Sequence, residues 1–565
     1  MKSPSLFSNI EDYYLGGIHS IVEEIRRCSY SLDDWFISEI SANPWKICAT
    51  FFGKKGLNYE YKPSLSNIPR FHLQHFPGCS TLKKKKDHSF ERFNCYQSTA
   101  SLGQFGSSMI VGRFGASPEK YSIAVVAPYE SNHACQKFST PDTGAVYIFD
   151  VKSFISNEVD LDISRISLID LRQPIPNSLG LGQISPFGSV MTKIHLDNTE
   201  LLVVAHPGVS TLHFYLKGVL VFSVFWSDGA IKYGGKGTKL VGETLIAGDI
   251  DGDGIEDLVV GAPRSDDGSA PQRGKVYTLS GQKLTQILVF HIKPFMELPN
   301  FFPLLLPATD FISYLLLCPE TKSNGYELFG ASLAIGQVST LAGNNISKSY
   351  VAVTSAGFGK LYIFLELNFD HYSTSFDIIP RSSGPLEKSL LVATEDGWLF
   401  VGDSAHSYGQ CYQCGIVYGL TITHNDSHTL LNTVYKIKPR YAHWNIKFMR
   451  FGLVGRITTR TLFIGSPFYN NGQGSIWAIS RQVLNRASRH LPSMSSRLIY
   501  VSPVFTGGKG SRYTGFGQSF EPMHLDYSHQ MSEYIFVGEP YHSSQNLGSL
   551  KKQLAGKVTM YKYKK

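Results

Sequence analysis

At 565 residues, with 42% hydrophobic, 13% aromatic and only 17% charged side chains, the chain can bury a large core and is no disordered or highly charged polymer. Its 52 Gly and 27 Pro punctuate a strand-rich pattern, and the length exceeds one ordinary domain while suiting a single large propeller. A net charge of +8 is spread thinly, so no nucleic-acid partner is expected, and its densest run, Lys83 to Lys86, reads as a solvated connector.

Met1 to Tyr14 lacks the charged start and apolar centre of a secretory signal. Residues 1–52 read as helical: Ile18, Ile21, Val22 and Ile25 keep a helical period, and Leu32, Trp35, Phe36 and Ile40 begin a second one. Residues 53–94 form a polar, basic, Pro-containing linker, within which Tyr59 to Leu73 could supply a strand.

Over 95–565 one unit recurs, and a period of several tens of residues points to a propeller or solenoid. Each unit offers a Phe-Gly opening turn, a strand, a second strand ending in Gly-Ala-Pro or a relative, and a third opening with Gly-x-Val-Tyr. The opening turns are Phe105-Gly106, Phe187-Gly188, Val241-Gly242, Phe329-Gly330, Phe451-Gly452 and Phe516-Gly517; the fifth unit has lost its own. The third strands open at Gly144, Gly218, Gly274, Gly359, Gly415, Gly474 and Gly556. Seven units therefore predict a mainly β, seven-bladed propeller whose radial closure protects its strand edges. The aromatic residue after Gly-x-Val is expected to fill the wedge between blades.

The third unit alone carries Gly248-Asp-Ile-Asp-Gly-Asp-Gly-Ile-Glu-Asp257 ahead of an apolar strand. Asp249, Asp251, Asp253 and Asp257, with the carbonyl of Ile255, could aim hard oxygens at one point, as calcium requires. The twelfth position from Asp249 is Val260 where an EF-hand needs a bidentate Glu, so the loop is no EF-hand. One bound calcium is expected. The metal-free alternative is an Asp/Gly-rich hairpin turn.

Between units three and four, an apolar stretch over 286–317 is broken by Pro294, Pro299, Pro303 and Pro307, which excludes a transmembrane helix there. It reads as an outer blade strand with a packed insertion, or as an exposed apolar loop touching lipid or a partner. Among eight cysteines, Cys411-Tyr-Gln-Cys414 is a lone C-x-x-C, read as a local disulfide or free thiols rather than zinc or redox chemistry. Asn345-Ile-Ser347 and Asn425-Asp-Ser427 are glycosylation sequons.

The order of acidic loop, apolar strand, Gly-Ala-Pro263 and Gly274-Lys-Val-Tyr277 resembles the FG-GAP repeat of integrin α-subunits and of glycosylphosphatidylinositol-specific phospholipase D. Asp12-Tyr-Tyr-Leu-Gly-Gly17 and Asn43-Pro-Trp-Lys-Ile-Cys48 resemble the end of that phospholipase's helical catalytic region, which makes 1–52 a remnant of it. The resemblance implies an extracellular or secretory location, GPI-anchored proteins or membrane-surface glycolipid as partners, and a hydrolase whose His/Asp zinc cluster lies upstream of these residues. His72 and His75 have no acid cluster at metal spacing, His19 is given no role, and no nucleophile elbow, Walker loop or HExxH occurs, so no catalytic residue is expected here. The alternative is an integrin-α-like adhesion or scaffold module that binds a protein ligand without enzymatic activity.

Overall fold

In a computed structural model of the chain, the described residues are 82–84, 90–92 and, with interruptions, 104–563. The expected helical segment 1–52, most of the linker 53–94, His19, His72, His75, Asn345 and the Asn425 sequon lie outside them. Within the linker, Leu82–Lys84 pairs antiparallel with Phe90–Arg92.

Seven sheets follow in chain order, each an antiparallel meander in its inner strands, with two outer strands, Leu304–Pro307 and Arg497–Val501, joining blades 2 and 5 in parallel from beyond the next blade's first strands. Blade 1 runs from Met109–Gly112 outward to Leu168–Arg172, and blade 2 from Met191–Leu196 to Val219–Phe225. Blade 3 runs from Thr244–Gly248 to Ile312–Leu317, and blade 4 from Phe329–Ser339 to Thr374–Asp377. Blades 5, 6 and 7 run from Leu391–Ala393 to Thr429–Pro439, Val454–Ile457 to Pro503–Thr506, and Ser519–Tyr527 to Lys557–Tyr563. The first strands touch their neighbours in a closed circuit, blade 7 meeting blade 1. Closure is sealed by a bridge between Phe105 and Gly556 and by the Ser519 hydroxyl donating to the Gly106 carbonyl.

The apolar residues divide into one cluster per seam between blades, because a radial sheet buries both faces. Side chains alternate along each third strand, so the Gly-x-Val-Tyr motif is read twice. Val146, Val276 and Val417 pack toward the following blade, whereas Tyr147, Tyr277, Tyr418 and Trp477 fill the wedge toward the preceding one.

The motif glycines line the same seams. A Cβ on Gly274 would collide with the backbone carbonyl of Phe329, which opens the next blade, and the same clash recurs at Gly144 with Phe187, Gly415 with Phe451 and Gly474 with Phe516. Phe329 in turn donates its N–H to the Arg273 carbonyl at 2.9 Å. Phe-Gly and Gly-x-Val-Tyr are thus two halves of one contact between neighbouring blades.

The apolar stretch serves two blades. Leu304–Pro307 adds a parallel fifth strand to blade 2, and Ile312–Leu317 is the outer strand of blade 3. A short helix, Gly281–Gln286, continues as the π-helix Ile287–Ile292 and buries Leu284, Leu288 and Ile292 between them. Phe290, Leu305, Leu315 and Leu317 face outward. Among the described residues no helix is long and apolar enough to cross a membrane.

Candidate metal centre

The acidic loop is the turn between the first two strands of blade 3, Thr244–Gly248 and Asp257–Ala262. Ile250 is buried against blade 4, and Ile255 packs against the cluster shared with blade 2, so both flanks of the turn are held by apolar seams. Ser349 of blade 4 donates its hydroxyl to the Asp249 carbonyl at 2.9 Å.

Within the turn the aspartates fold the backbone before any ion is considered. Asp249 accepts from the N–H groups of Gly252 at 2.7 Å and Gly254 at 3.0 Å, and Asp251 accepts from Asp253 N–H at 3.2 Å. Gly252 and Gly254 have φ of 80° and 83°, a conformation that side chains resist. Asp257 is buried and receives N–H groups from Ile250 at 3.2 Å and Gly281 at 2.7 Å.

Asp249, Asp251 and Asp257 each present an oxygen within 4.8 Å of the other two. Two ligands 2.3–2.6 Å from a calcium ion can stand up to about 5 Å apart, so the spacing fits one ion. Each ionised carboxylate retains lone pairs beyond those its N–H donors use. Asp253 lies outside this trio, its Oδ1 2.8 Å from the N–H of Ile255. Ile255 could offer only its carbonyl. Burial pushes the Asp257 carboxyl up to about 6, and burial together with the charges of Asp253 and Asp249 raises Asp251. Crowded carboxylates of this kind gain from a bound cation.

Beside the turn lies a constellation that sequence reading missed. His195, on the first strand of blade 2, places Nδ1 3.1 Å from Glu256 Oε1 and Nε2 2.9 Å from Glu200 Oε2, while its N–H reaches Glu256 Oε2 at 2.8 Å. Glu256 alternates with the buried Asp257 along the chain and so faces blade 2. Hydrogen bonds to Glu200 and Glu256 raise His195 to about 9. Burial would raise both glutamates, but the His195 hydrogen bonds and nearby positive charge carry each below its ordinary value.

Cys411 and Cys414 form a disulfide in blade 5, one of the two outcomes their spacing allowed.

Comparison with known proteins agrees with the repeat reading. A profile of the FG-GAP repeat matches residues 241–279, which hold the acidic turn and three strands of blade 3. The chain is a seven-bladed propeller with an FG-GAP repeat in its third blade. The uncharacterized protein YJL132W of Saccharomyces cerevisiae is 22% identical over 516 residues, 86% of this chain. The chain spans 58% of that relative's length. A crystal structure of selenomethionine-substituted virginiamycin B lyase from Staphylococcus aureus covers 74% of this chain and 88% of its own at 7% identity. Its TM-score of 0.37 is too low to bear on function.

Proposed function

We propose that the protein is a calcium-binding FG-GAP propeller, the non-catalytic portion of a glycosylphosphatidylinositol phospholipase D-like protein. The convergence of Asp249, Asp251 and Asp257 carries the calcium half of this reading. The ion would tie the first hairpin of blade 3 to its seams with blades 2 and 4, which stiffens a binding surface and does no chemistry. Asp253 and the Ile255 carbonyl would complete the shell together with water.

The phospholipase half rests on the Asp12-Tyr-Tyr-Leu-Gly-Gly17 and Asn43-Pro-Trp-Lys-Ile-Cys48 resemblance. On that reading the partners are GPI-anchored proteins or membrane glycolipid outside the cell, and zinc chemistry belongs to residues other than these. An integrin-α-like scaffold for a protein ligand is the second reading, favoured by the fact that fold alone gives a surface and not a reaction.

Calcium titrated into the purified chain should raise its thermal midpoint, since the folded turn binds the ion and the unfolded turn does not. An unchanged midpoint with and without chelator would remove the metal. An anchor-release assay on this chain should give no product, and zinc-dependent release would place a catalytic centre within it.

A further inference from the structure

The turns of blades 1 and 2 border a half-open cavity of about 570 Å³, next to the acidic turn through His195 but lined by none of its aspartates. Two tight turns of blade 2 shape it. Asp197-Asn198 links its first two strands with φ of 47° and 57°, and Lys217-Gly218 links its third and fourth with φ of 51° and 77°. Both have the positive φ that matches strand twist, and as the first and third connections of an antiparallel meander they fall at the same end of the sheet. Asn198 and Lys217 therefore line one cavity, opposite Arg113 and Tyr121 of blade 1.

Its lining is positive. Arg113, Lys193 and Lys217 share it with a single carboxylate, Glu200, while His195 is already held between Glu200 and Glu256. The Glu200 carboxylate is itself committed: one oxygen accepts the Arg113 backbone N–H and the other accepts from His195. Lys193 is steadied by the Val111 carbonyl at 3.1 Å. The Arg113 guanidinium lies over the Tyr121 ring, 4.9 Å from its centre, which orients its fork without neutralising it. Among the described residues no acidic side chain pairs with the side chains of Arg113 or Lys217.

We propose that this cavity binds a small phosphomonoester, with its phosphate between Arg113 and Lys217 and its organic body toward Asn198 and Leu216. A phosphomonoester carries close to two charges at neutral pH and accepts several hydrogen bonds, which suits a guanidinium fork, ammonium groups and an amide better than a single carboxylate would. The volume lies within the range of roughly 300–1,000 Å³ of small-molecule sites, leaving room for more than the phosphate. The same headgroup chemistry occurs free in solution and on a lipid.

The test uses the full chain with glycerol 3-phosphate, with glycerol, and with neutral vesicles that do or do not contain phosphatidic acid. Saturable calorimetric binding of glycerol 3-phosphate but not glycerol is expected. The double variant Arg113→Gln/Lys217→Gln, altered at two exposed positions, should weaken it by about tenfold or more while its thermal midpoint stays with the parent. Lys436→Gln, which removes one exposed charge from blade 5, should leave binding as it was. Capture by phosphatidic acid vesicles alone, with the same dependence on Arg113 and Lys217, assigns the lipid headgroup as the source and upholds the site. Binding to neither probe overturns the proposal. So does equal weakening by Lys436→Gln, or full binding by the double variant.

Discussion

Gly274 and Gly254 share a left-handed backbone, φ 85° and 83°, yet differ in what surrounds them. A Cβ on Gly254 meets nothing within 4 Å, whereas one on Gly274 collides with Phe329 of the next blade. Gly254→Ala should therefore cost about 1–2 kcal/mol of backbone strain alone. Gly274→Ala should cost more, about 3 kcal/mol, because a blade seam must part; equal losses in denaturant melts would show that the seam yields freely. At the same scale, Asp251→Ala should abolish the calcium-dependent rise in midpoint. Asp266→Ala removes an acceptor 2.8 Å from Gln272 N–H, so it should lower the midpoint equally with and without calcium. The acidic turn was legible because carboxylates at alternating offsets around glycines suit a cation or a hydrogen-bonded hairpin turn, whereas which three of the four aspartates converge needed the fold. The His195 to Glu256 contact was not, since its partners lie 61 residues apart and only the fold brings them together.

Blade 2 holds histidines that titrate in opposite directions. His206 and His213 are buried with ring centres 6.2 Å apart, and burial pushes His206 down to about 4 from the ordinary 6.5 and His213 well below it. Below pH 6.5 the unfolded chain takes protons that these rings refuse, so stability falls as pH drops from about 6.5 toward 4, by up to about 1.4 kcal/mol per pH unit for each ring. His195 runs the other way. Its folded pKa of about 9 makes its contribution complete below 6.5 and lost as pH rises through 9, and half-exposure keeps that contribution small through solvent screening. Denaturant midpoints across pH should show a flatter acid limb in His206→Phe and a flatter alkaline limb in His195→Gln; limbs parallel to the parent's would assign the slopes to other groups. In six blades the inner three strands were readable because the repeat motifs answer steric demands, but in blade 2 Gly218 opens the fourth strand, Val219–Phe225, and not the third, which is Thr211–Leu216. Of the outer strands only the apolar stretch 286–317 was read as one; that Leu304–Pro307 and Arg497–Val501 join blades 2 and 5 in parallel was not, since edge strands with one packed face carry no such motif. In the apolar stretch the reading of an outer strand with a packed insertion holds, and Leu305, Leu315 and Leu317 lie on the outward face of its strands.

A stack of blades that touch only their neighbours would fray from its ends, but a closed ring has none. Blade 7 shares Met523 and Phe536 with Met109, Val111 and Val125 of blade 1 in one buried cluster, so the last blade supports the first as any blade supports the next. Damage at that seam should then be felt around the circuit. Phe536→Ala leaves a cavity costing about 3–5 kcal/mol. If the ring opens as one unit, amide exchange should accelerate by the same factor in Asp257–Ala262 of blade 3 as in Gln530–Glu539 of blade 7, because both exchange through the same global opening. Acceleration confined to blade 7 and its neighbours would mean that the blades open separately and that closure adds contacts without cooperativity. Calcium sharpens the comparison. Saturating ion should slow exchange in both strands of a cooperative ring by the factor it contributes to global stability, and in blade 3 alone if the hairpin unfolds on its own.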